Sequence, residues 1–447
     1  MEIKPLFKNK QFLSLAGNVI MSMLNIITTS ILYRHMAKEE IGVWFFFQTT
    51  FILIDTFRTG FLQTAFVKFY AGAQPERAEN ILGSTWYLGL LITGIVFLIN
   101  IPAFFLLNYI DNLGIIEVIK WTTITFVSTL PIVMATWLLQ AQARYAEILY
   151  IRAVNQASFI IFVITLILSK HITLNMVFIT NVLSCLLTCI VIFSCRWSGF
   201  KSVTKQTRGS VKELFHFGKF SVGTSISANL LRSSDTFIIN FTLGPGAIAI
   251  YNISQTLTNL IDIPLRSFVT TGMTSLAAAQ NNNKKEEVEY IFKKYAGALT
   301  IIFIPVIIGG FIFADVAVSL IGGGKYVGTP AANIFRIFMI FAFFIPLDRF
   351  IGVTLDVIHK PKYNFYKVLI MLAINVVGDF AGIYFMHSIY GVGIASIPTF
   401  VFGTVIGYFS LKRFLNFDLT SIFKLGYTET RILIQTVRNK LGRTREI

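Results

Sequence analysis

Charged residues are scarce in this sequence: Asp, Glu, Lys and Arg together make up 13% of its 447 residues. A soluble globular chain carries roughly 25%, so this chain has too few charged side chains to cover a surface in contact with water. Hydrophobic residues make up 55%, and the mean hydropathy is +0.69. The composition therefore excludes a disordered chain, a disulfide-rich secreted scaffold and a nucleic-acid-binding domain, and it predicts an integral membrane protein.

Groups that could carry catalysis are also scarce. The three Cys residues, Cys185, Cys189 and Cys195, lie in one apolar stretch and are best interpreted as small packing residues rather than as a disulfide or metal framework. The five His residues are scattered without metal-ligand spacing. The run Gly322–Lys325 lacks both the spacing of a phosphate-binding loop and its Ser or Thr. We therefore expect neither an enzyme active site nor a bound cofactor.

Long apolar stretches, by contrast, recur along the whole chain. Each covers about 20 residues or more, which is enough to cross a ~30 Å hydrocarbon core as a helix. Their approximate limits are 11–33, 41–69, 83–107, 117–140, 153–169, 174–195, 217–243, 247–275, 297–320, 331–358, 365–387 and 393–411. The first is too long for a cleaved signal peptide and has no small-residue cleavage site after it, so it is interpreted as a retained span. The sequence predicts an all-α polytopic membrane protein with about 12 transmembrane helices.

The basic residues indicate the orientation of these spans. With the N-terminus inside, 28 of the 38 Lys and Arg residues lie in cytoplasmic segments and 5 lie in outer loops. The five outer residues are Arg34, Lys38, Lys120, Lys170 and Lys325. Because Lys and Arg accumulate in cytoplasmic loops, this bias places both termini in the cytoplasm.

An internal repeat divides the chain in half. Residues 41–55 match residues 248–262 at an offset of 207, with five identical pairs: Gln48/Gln255, Thr49/Thr256, Leu53/Leu260, Ile54/Ile261 and Asp55/Asp262. Six spans in each half give both halves the same orientation, so the repeat predicts two six-helix lobes related by a pseudo-two-fold axis normal to the membrane. The expected parts are an N-terminal lobe (1–195), a basic linker (196–216), a C-terminal lobe (217–411) and a basic tail (412–447).

Charged residues inside the predicted spans form the candidate site. Asp55/Arg58 and Arg232/Asp235 are three residues apart and Asp262/Arg266 four apart, so each pair shares a helix face. Asp348 and Arg349 are adjacent and point in different directions, so they need partners on other helices. Three further charged residues lie in or near spans: Arg336, Asp356 and Asp379. Buried charges at this depth are costly and usually face a bundle interior or a wet cavity.

Two interpretations of these charges remain open. In the first, each Asp neutralises its nearby Arg and the two form a structural ion pair. In the second, the residues line a water-filled cavity between the lobes. In the second case the arginines would bind the anionic headgroup of a lipid, because a planar guanidinium suits phosphate oxygens. The predicted substrate-binding residues are Arg58, Arg232, Arg266, Arg336 and Arg349, and the predicted ion-coupling residues are Asp55, Asp235, Asp262 and Asp348. Asp55 and Asp262 are expected to face each other across the cavity.

Several segments resemble a known family of exporters. They are Ala37–Trp44 (AKEEIGVW), Leu53–Asp55, Leu320–Tyr326 (LIGGGKY), the Ala331-Ala332 pair, and Pro131 and Pro346 within spans. With them, residues 8 to 412 or so resemble the polysaccharide transporter (O-antigen flippase) family of the multidrug/oligosaccharidyl-lipid/polysaccharide exporter superfamily. The resemblance implies a flippase in the bacterial inner membrane that turns an undecaprenyl-pyrophosphate-linked oligosaccharide from the cytoplasmic to the periplasmic leaflet. The driving ion would be a proton or Na⁺.

Two other hypotheses stay open. Multidrug and toxin exporters of the same superfamily also have twelve spans, but many bear an acidic residue in span 1, where this chain has only Asn18 and Asn25 at depth. Lipid II flippases carry fourteen spans. The third hypothesis, a membrane enzyme or assembly scaffold, requires a sizeable outer loop, which the predicted topology lacks. The expected partners are the lipid-linked oligosaccharide, membrane lipid and glycan polymerase or assembly proteins, without nucleic acid.

The C-terminal tail is predicted to form an amphipathic helix on the inner membrane surface. From Thr428 to Leu441, apolar and polar side chains separate at helical spacing. The apolar side holds Leu433, Ile434, Val437 and Leu441, and the polar side holds Arg431, Gln435 and Arg438. We expect this helix to anchor the C-terminal lobe or to meet an assembly partner.

Overall fold

A computed structural model describes residues 10–443, and this range contains fifteen α-helices and no β-strand. The helices are α1 (Lys10–His35), α2 (Lys38–Tyr70), α3 (Pro75–Phe105), α4 (Leu113–Ala141), α5 (Tyr145–Leu168), α6 (Leu174–Ser194), α7 (Arg208–Thr242), α8 (Pro245–Asn281), α9 (Lys285–Ile312), α10 (Ala314–Gly322), α11 (Ala331–Ala342), α12 (Ile345–Val357), α13 (Pro361–Met386), α14 (Tyr390–Lys412) and α15 (Leu419–Arg443). Short 3₁₀ turns cover Leu107–Tyr109, Phe200–Lys205 and Gly323–Tyr326.

The observed helices confirm the all-α membrane fold. Among the described residues, eight helices are long and apolar enough to cross a membrane, and a ninth span results if α11 and α12 count as one. The eight are α2, α3, α4, α5, α6, α9, α13 and α14. The other predicted spans coincide with α1, α7 and α8, which are long helices of lower hydropathy. The protein is therefore a multi-pass membrane protein.

Two predicted spans are interrupted in the structure. The stretch 297–320 crosses from α9 into the separate short helix α10, and the stretch 331–358 is split into α11 and α12 with a bend of 47°. Pro346 stands in the first turn of α12, where its missing N–H is tolerated and where the preceding residues cannot continue a regular helix. The bend therefore lies where the sequence places a proline.

The N-terminal packing unit runs to Ala249 and includes α7. Helix α7 packs along α2: an added Cβ at Gly60 would lie 2.7 Å from the Cβ of Ser225, and the Asn229 amide donates to Thr56 Oγ1 at 2.9 Å. Packing therefore groups α7 with the first six helices, whereas the sequence assigns it to a C-terminal lobe that begins after the linker 196–216. Close backbone approach through small side chains is what holds α7 in this unit.

The C-terminal packing unit begins at Ile250. Within it, α13 and α14 form a tight hairpin in which an added Cβ at Gly382 would lie 2.5 Å from the carbonyl oxygen of Gly391. Only glycine allows two helices to approach so closely, which is a common mode of packing in membranes. This hairpin positions one face of α13, described below, inside the unit.

Helix α15 contains the predicted amphipathic segment and packs against α9. An added Cβ at Gly426 would lie 2.3 Å from the carbonyl carbon of Gly297, so the two backbones are in contact. The side chains of Leu433, Ile434, Val437, Arg438 and Leu441 lie outside the described residues, so the predicted apolar stripe stays a prediction. The contact with α9 is a feature that the sequence did not predict.

A polar cluster outside the predicted spans reinforces the contact between α15 and α9. Lys294 forms an ion pair with Glu429 at 2.8 Å, and the Tyr290 hydroxyl donates to the same carboxylate at 2.6 Å. The hydrogen bonds from Lys294 and Tyr290, together with the charge of Lys294, hold the pKa of Glu429 below its ordinary range. Helix α15 is therefore attached to α9 by both packing and charge.

Candidate functional site

The first candidate pair, Asp55 and Arg58, is enclosed between α2 and α4. The Arg58 guanidinium donates to the carbonyl oxygen of Phe126 at 2.8 Å, to Thr129 Oγ1 at 3.0 Å and to the Asp55 carboxylate. It also lies over the Phe126 ring, 4.0 Å from the centroid. The side chain of Arg58 is 0% exposed. Every one of these partners belongs to the protein itself.

These contacts correct the expectation that Arg58 faces a hydrated cavity. A buried charge is tolerated when it is paired and hydrogen-bonded, and here one carboxylate, one carbonyl, one hydroxyl and one aromatic face serve that purpose. The geometry therefore matches the interpretation of Asp55 and Arg58 as a structural ion pair. Phe126 and Thr129 belong to another helix, so the residues around the pair in sequence could not have indicated this.

The second candidate pair, Asp262 and Arg266 on α8, has an open arrangement. The closest atoms of the two side chains are 3.8 Å apart, and the Arg266 side chain is 68% exposed while that of Asp262 is 16% exposed. Arg266 is therefore accessible to a ligand, as the sequence predicted for a substrate-binding arginine. The role itself stays a prediction.

Two further span arginines, Arg232 on α7 and Arg349 on α12, are also exposed. Asp235, on the same helix as Arg232, is buried. Three of the five predicted substrate-binding residues, Arg232, Arg266 and Arg349, thus present their side chains at the surface of their own packing units. Arg232 belongs to the N-terminal unit, and Arg266 and Arg349 belong to the C-terminal unit.

Arg336 differs from those three because its side chain is held by neighbours in the C-terminal unit. Its guanidinium pairs with Asp315, donates to Asn333 Oδ1 at 2.7 Å and donates to the carbonyl oxygen of Phe311 at 3.3 Å. These contacts tie α10 and α11 to the end of α9. The geometry supports a structural role for Arg336 more than contact with a substrate.

Asp348 has the partner on another helix that its position required. Lys367 of α13 donates to Asp348 Oδ1 at 2.6 Å, and the Lys367 side chain is only 2% exposed. The pair lies just after the bend between α11 and α12. Lys367 stands near the start of the predicted span 365–387, and α13, which begins at Pro361, encloses it.

A buried stripe on α13 explains why Lys367 is enclosed. Lys367, Met371, Asn375, Asp379 and Ile383 are buried and recur every four residues, so they share one helix face. Three of the five are polar or charged. The four-residue spacing is visible in the sequence and could have identified this stripe. It was missed because Lys367 lies at the edge of the predicted span 365–387, where a lysine is not unusual.

Within residues 10–443, no group of three or more His, Cys, Asp or Glu side chains is arranged to hold a metal ion. Each of the three exposed side chains, on α7, α8 and α12, carries a positive guanidinium group. Guanidinium groups bind phosphate and carboxylate oxygens in a bidentate fashion. Each exposed guanidinium can therefore recognise an anionic group.

Sequence comparison adds independent information. Residues 31–330 match the profile of a family described as "Polysaccharide biosynthesis protein". One curated relative, the probable low-salt glycan biosynthesis flippase Agl15 of Haloferax volcanii, is 20% identical over 215 residues. The alignment covers 48% of this chain and 45% of that protein, so the chain spans about half the length of the curated relative it matches.

Solved structures with the same fold cover nearly the whole chain. The lipid II flippase MurJ in an inward closed conformation has a TM-score of 0.74 and 17% identity, with 96% of this chain and 92% of that chain covered. An inward-facing multidrug resistance transporter of the MATE family has a TM-score of 0.75 and 14% identity, with 96% and 100% covered. At these identities the likeness shows the fold.

Proposed function

The chain belongs to the polysaccharide biosynthesis protein family, and from this premise we propose that it translocates a lipid-linked oligosaccharide across a membrane. The proposed substrate is an oligosaccharide on undecaprenyl pyrophosphate, such as a repeat unit of O-antigen or capsule. It would pass from the cytoplasmic to the periplasmic leaflet of the bacterial inner membrane by alternating access. Both termini would lie in the cytoplasm, as the basic-residue bias indicates.

The observation that supports this proposal most is the exposure of Arg232, Arg266 and Arg349 on helices of a transporter fold. An exposed arginine at membrane depth is costly unless it serves a ligand or a wet cavity. A pyrophosphate offers several oxygens to guanidinium forks. A cationic drug, in contrast, would be repelled by each of these exposed guanidiniums, so the drug-exporter alternative is less well supported.

We further propose that Asp262 carries the coupling ion, a proton or Na⁺. Of the four predicted coupling residues, Asp55 pairs with an enclosed arginine, Asp348 pairs with an enclosed lysine, and Asp235 is buried. Asp262 stands 3.8 Å from an arginine that is itself exposed. Substrate binding at Arg266 would therefore alter the electrostatic field at Asp262. In this way substrate binding would change the affinity of Asp262 for the coupling ion.

Transport of a synthetic lipid-pyrophosphate oligosaccharide in proteoliposomes tests the proposal. We expect Arg266→Ala and Arg349→Ala each to reduce transport to near background, since both the charge and the fork are lost. Arg266→Lys and Arg349→Lys should retain part of the rate, because the charge remains. Asp262→Asn should transport at a rate that no longer depends on the ion gradient.

The matched control is Lys170→Met, which removes an exposed cation from the turn after α5. It should transport at the wild-type rate. If Arg266→Ala and Arg349→Ala also keep that rate, these arginines do not bind the substrate. If the protein moves cationic drugs but no lipid-linked oligosaccharide, the proposed substrate class is wrong.

A further inference from the structure

Helices α3 and α4 of the N-terminal unit form a groove of about 260 Å³ near the loop that connects them. The basic-residue bias places this loop on the outer side of the membrane. Three apolar side chains of α3, Phe97, Ile101 and Phe104, form one wall of the groove. They are spaced as i, i+4 and i+7 and all three are exposed, so this face of α3 meets lipid.

A lysine stands in the corresponding face of α4. Lys120, Ile124 and Val127 again follow the i, i+4, i+7 spacing, and the two apolar members are exposed. The Lys120 side chain is 42% exposed and lines the groove. Helix α4 begins at Leu113, so Lys120 lies about 10 Å along the helix at a rise of 1.5 Å per residue. A charged group in a lipid-facing apolar stripe is costly without an anionic partner.

Glu117 provides part of that compensation. Lys120 Nζ pairs with Glu117 Oε1 at 2.9 Å, and Trp121 Nε1 donates to Glu117 Oε2 at 3.0 Å. The Glu117 side chain is only 8% exposed. An ammonium group carries three donors, of which Glu117 accepts one, so Lys120 can donate to a second anion from the groove.

The floor of the groove is polar and ordered. The Asn100 amide donates to the carbonyl oxygen of Ile119 at 2.8 Å and to Thr123 Oγ1 at 2.7 Å, which joins α3 to α4 beneath the groove. The groove therefore has an apolar wall, a polar floor and a cation at its side. This combination matches an amphiphile that has an anionic head and an apolar chain.

We propose that this groove binds an anionic phospholipid, whose phosphate accepts hydrogen bonds from Lys120 Nζ while one acyl chain lies along Phe97, Ile101 and Phe104. An anionic headgroup fits better than a zwitterionic one. Both oxygens of Glu117 are already used by Lys120 and Trp121, so this carboxylate is not available to a headgroup ammonium.

Native mass spectrometry of the full chain in detergent tests the proposal, with phosphatidylglycerol, phosphatidylcholine and inorganic phosphate as probes. We expect phosphatidylglycerol to bind saturably and more tightly than phosphatidylcholine. Lys120→Met should weaken phosphatidylglycerol binding about tenfold, the effect of losing one charge-assisted hydrogen bond. The control Lys170→Met, which removes an exposed lysine away from the groove, should bind as the wild type does.

A second variant guards against misfolding of Lys120→Met, since Glu117 loses its partner there. Ile101→Trp fills the groove and leaves the Lys120–Glu117 pair intact, and it should also weaken phosphatidylglycerol binding. Equal binding by the wild type, Lys120→Met and Ile101→Trp would overturn the proposal. Lys120-dependent binding of inorganic phosphate without any preference for phosphatidylglycerol over phosphatidylcholine would overturn the lipid assignment.

Discussion

Helices α2 and α8 carry the same Leu-Ile-Asp sequence at an offset of 207, followed by an arginine one turn later. On α2 the arginine, Arg58, is 0% exposed and bound between two helices, whereas on α8 the arginine, Arg266, is 68% exposed. Similar sequence thus accompanies two different environments. The difference teaches that an intramembrane Asp–Arg pair must be judged by the helix that packs against it.

The neighbouring helix α4 accounts for the contrast. Phe126 and Thr129 of α4 supply the carbonyl, the hydroxyl and the aromatic face that Arg58 uses in addition to Asp55. The spacing contributes as well: Arg58 is three residues from Asp55 and makes a direct hydrogen bond, while Arg266 is four residues from Asp262 at 3.8 Å. Enclosure makes one pair structural and leaves the other accessible.

Replacing Arg58 and Arg266 separately tests this contrast most directly, because the two variants should differ strongly in stability. Arg58→Met is expected to lower the free energy of unfolding by about 3–5 kcal/mol, because Asp55 is left without its guanidinium partner in a buried site. Arg266→Met removes an exposed side chain and should change stability by less than about 0.5 kcal/mol. Thermal unfolding in detergent, with membrane abundance as a second readout, measures both.

The double variant Asp55→Asn/Arg58→Met supplies the control. It removes both charges, so it should recover most of the stability that Arg58→Met loses. If Arg58→Met is as stable as the wild type, Arg58 is not a structural residue. Enclosure would then not distinguish the role of Arg58 from that of Arg266.

The pair of Asp348 and Lys367 tests whether the stability effect of a charged residue depends on its enclosure by other helices or on its position in the chain. It lies in the C-terminal unit with Arg266 but is enclosed like Arg58. If enclosure decides, Lys367→Met should lower the free energy of unfolding by about 3 kcal/mol, since a buried Asp348 carboxylate loses its partner. The reversed pair Asp348→Lys/Lys367→Asp should regain part of this loss in the same unfolding measurement. Stability of Lys367→Met equal to that of Arg266→Met would favour position over enclosure.

Close packing of α7 on α2 offers a smaller test of the enclosed region. Gly60→Ala adds a Cβ that would lie 2.7 Å from the Cβ of Ser225, so it should cost about 1–3 kcal/mol by overpacking. Gly223→Ala, on α7 itself, is the matched control because an added Cβ there meets no atom within 4 Å. Thermal unfolding of the two variants should differ by several degrees; equal midpoints would mean that the α2–α7 contact is loose.

The pair of Lys294 and Glu429 extends the comparison outside the predicted spans and should have the smallest effect. The folded pKa of Glu429 is below the ordinary value of about 4.3. Its contribution to the docking of α15 on α9 is therefore complete above that value, and it is lost as the pH falls through the lower folded pKa. Solvent screening keeps the effect modest.

Hydrogen exchange of α15 measured between neutral and acid pH tests this. The protection factors, which correct for the intrinsic exchange rate at each pH, should fall at acid pH in the wild type and should already be lowered at neutral pH in Glu429→Gln. The control Glu287→Gln breaks a pair with Lys284 at the start of α9 and should leave α15 unchanged. Unchanged exchange in Glu429→Gln would show that packing at Gly297 and Gly426 suffices to hold α15.

The sequence by itself determined the class of the protein. A shortage of charge, twelve apolar stretches and the asymmetry of Lys and Arg follow from the cost of placing polar groups in hydrocarbon, which acts on every residue separately. These three features can be obtained from the sequence without knowing any contact between helices. They led to an all-α membrane protein, and the resemblance of short segments led to the family that the profile confirms.

Only the tertiary structure decided which charges are enclosed. Arg58, Arg336 and Lys367 are held by residues 19 to 71 positions away, on other helices, as their hydrogen bonds show. The packing of α7 on α2 and the attachment of α15 to α9 likewise depend on pairs of helices. The physical reason is that the cost of burying a charge depends on its neighbours in space, and sequence spacing specifies only those on the same helix.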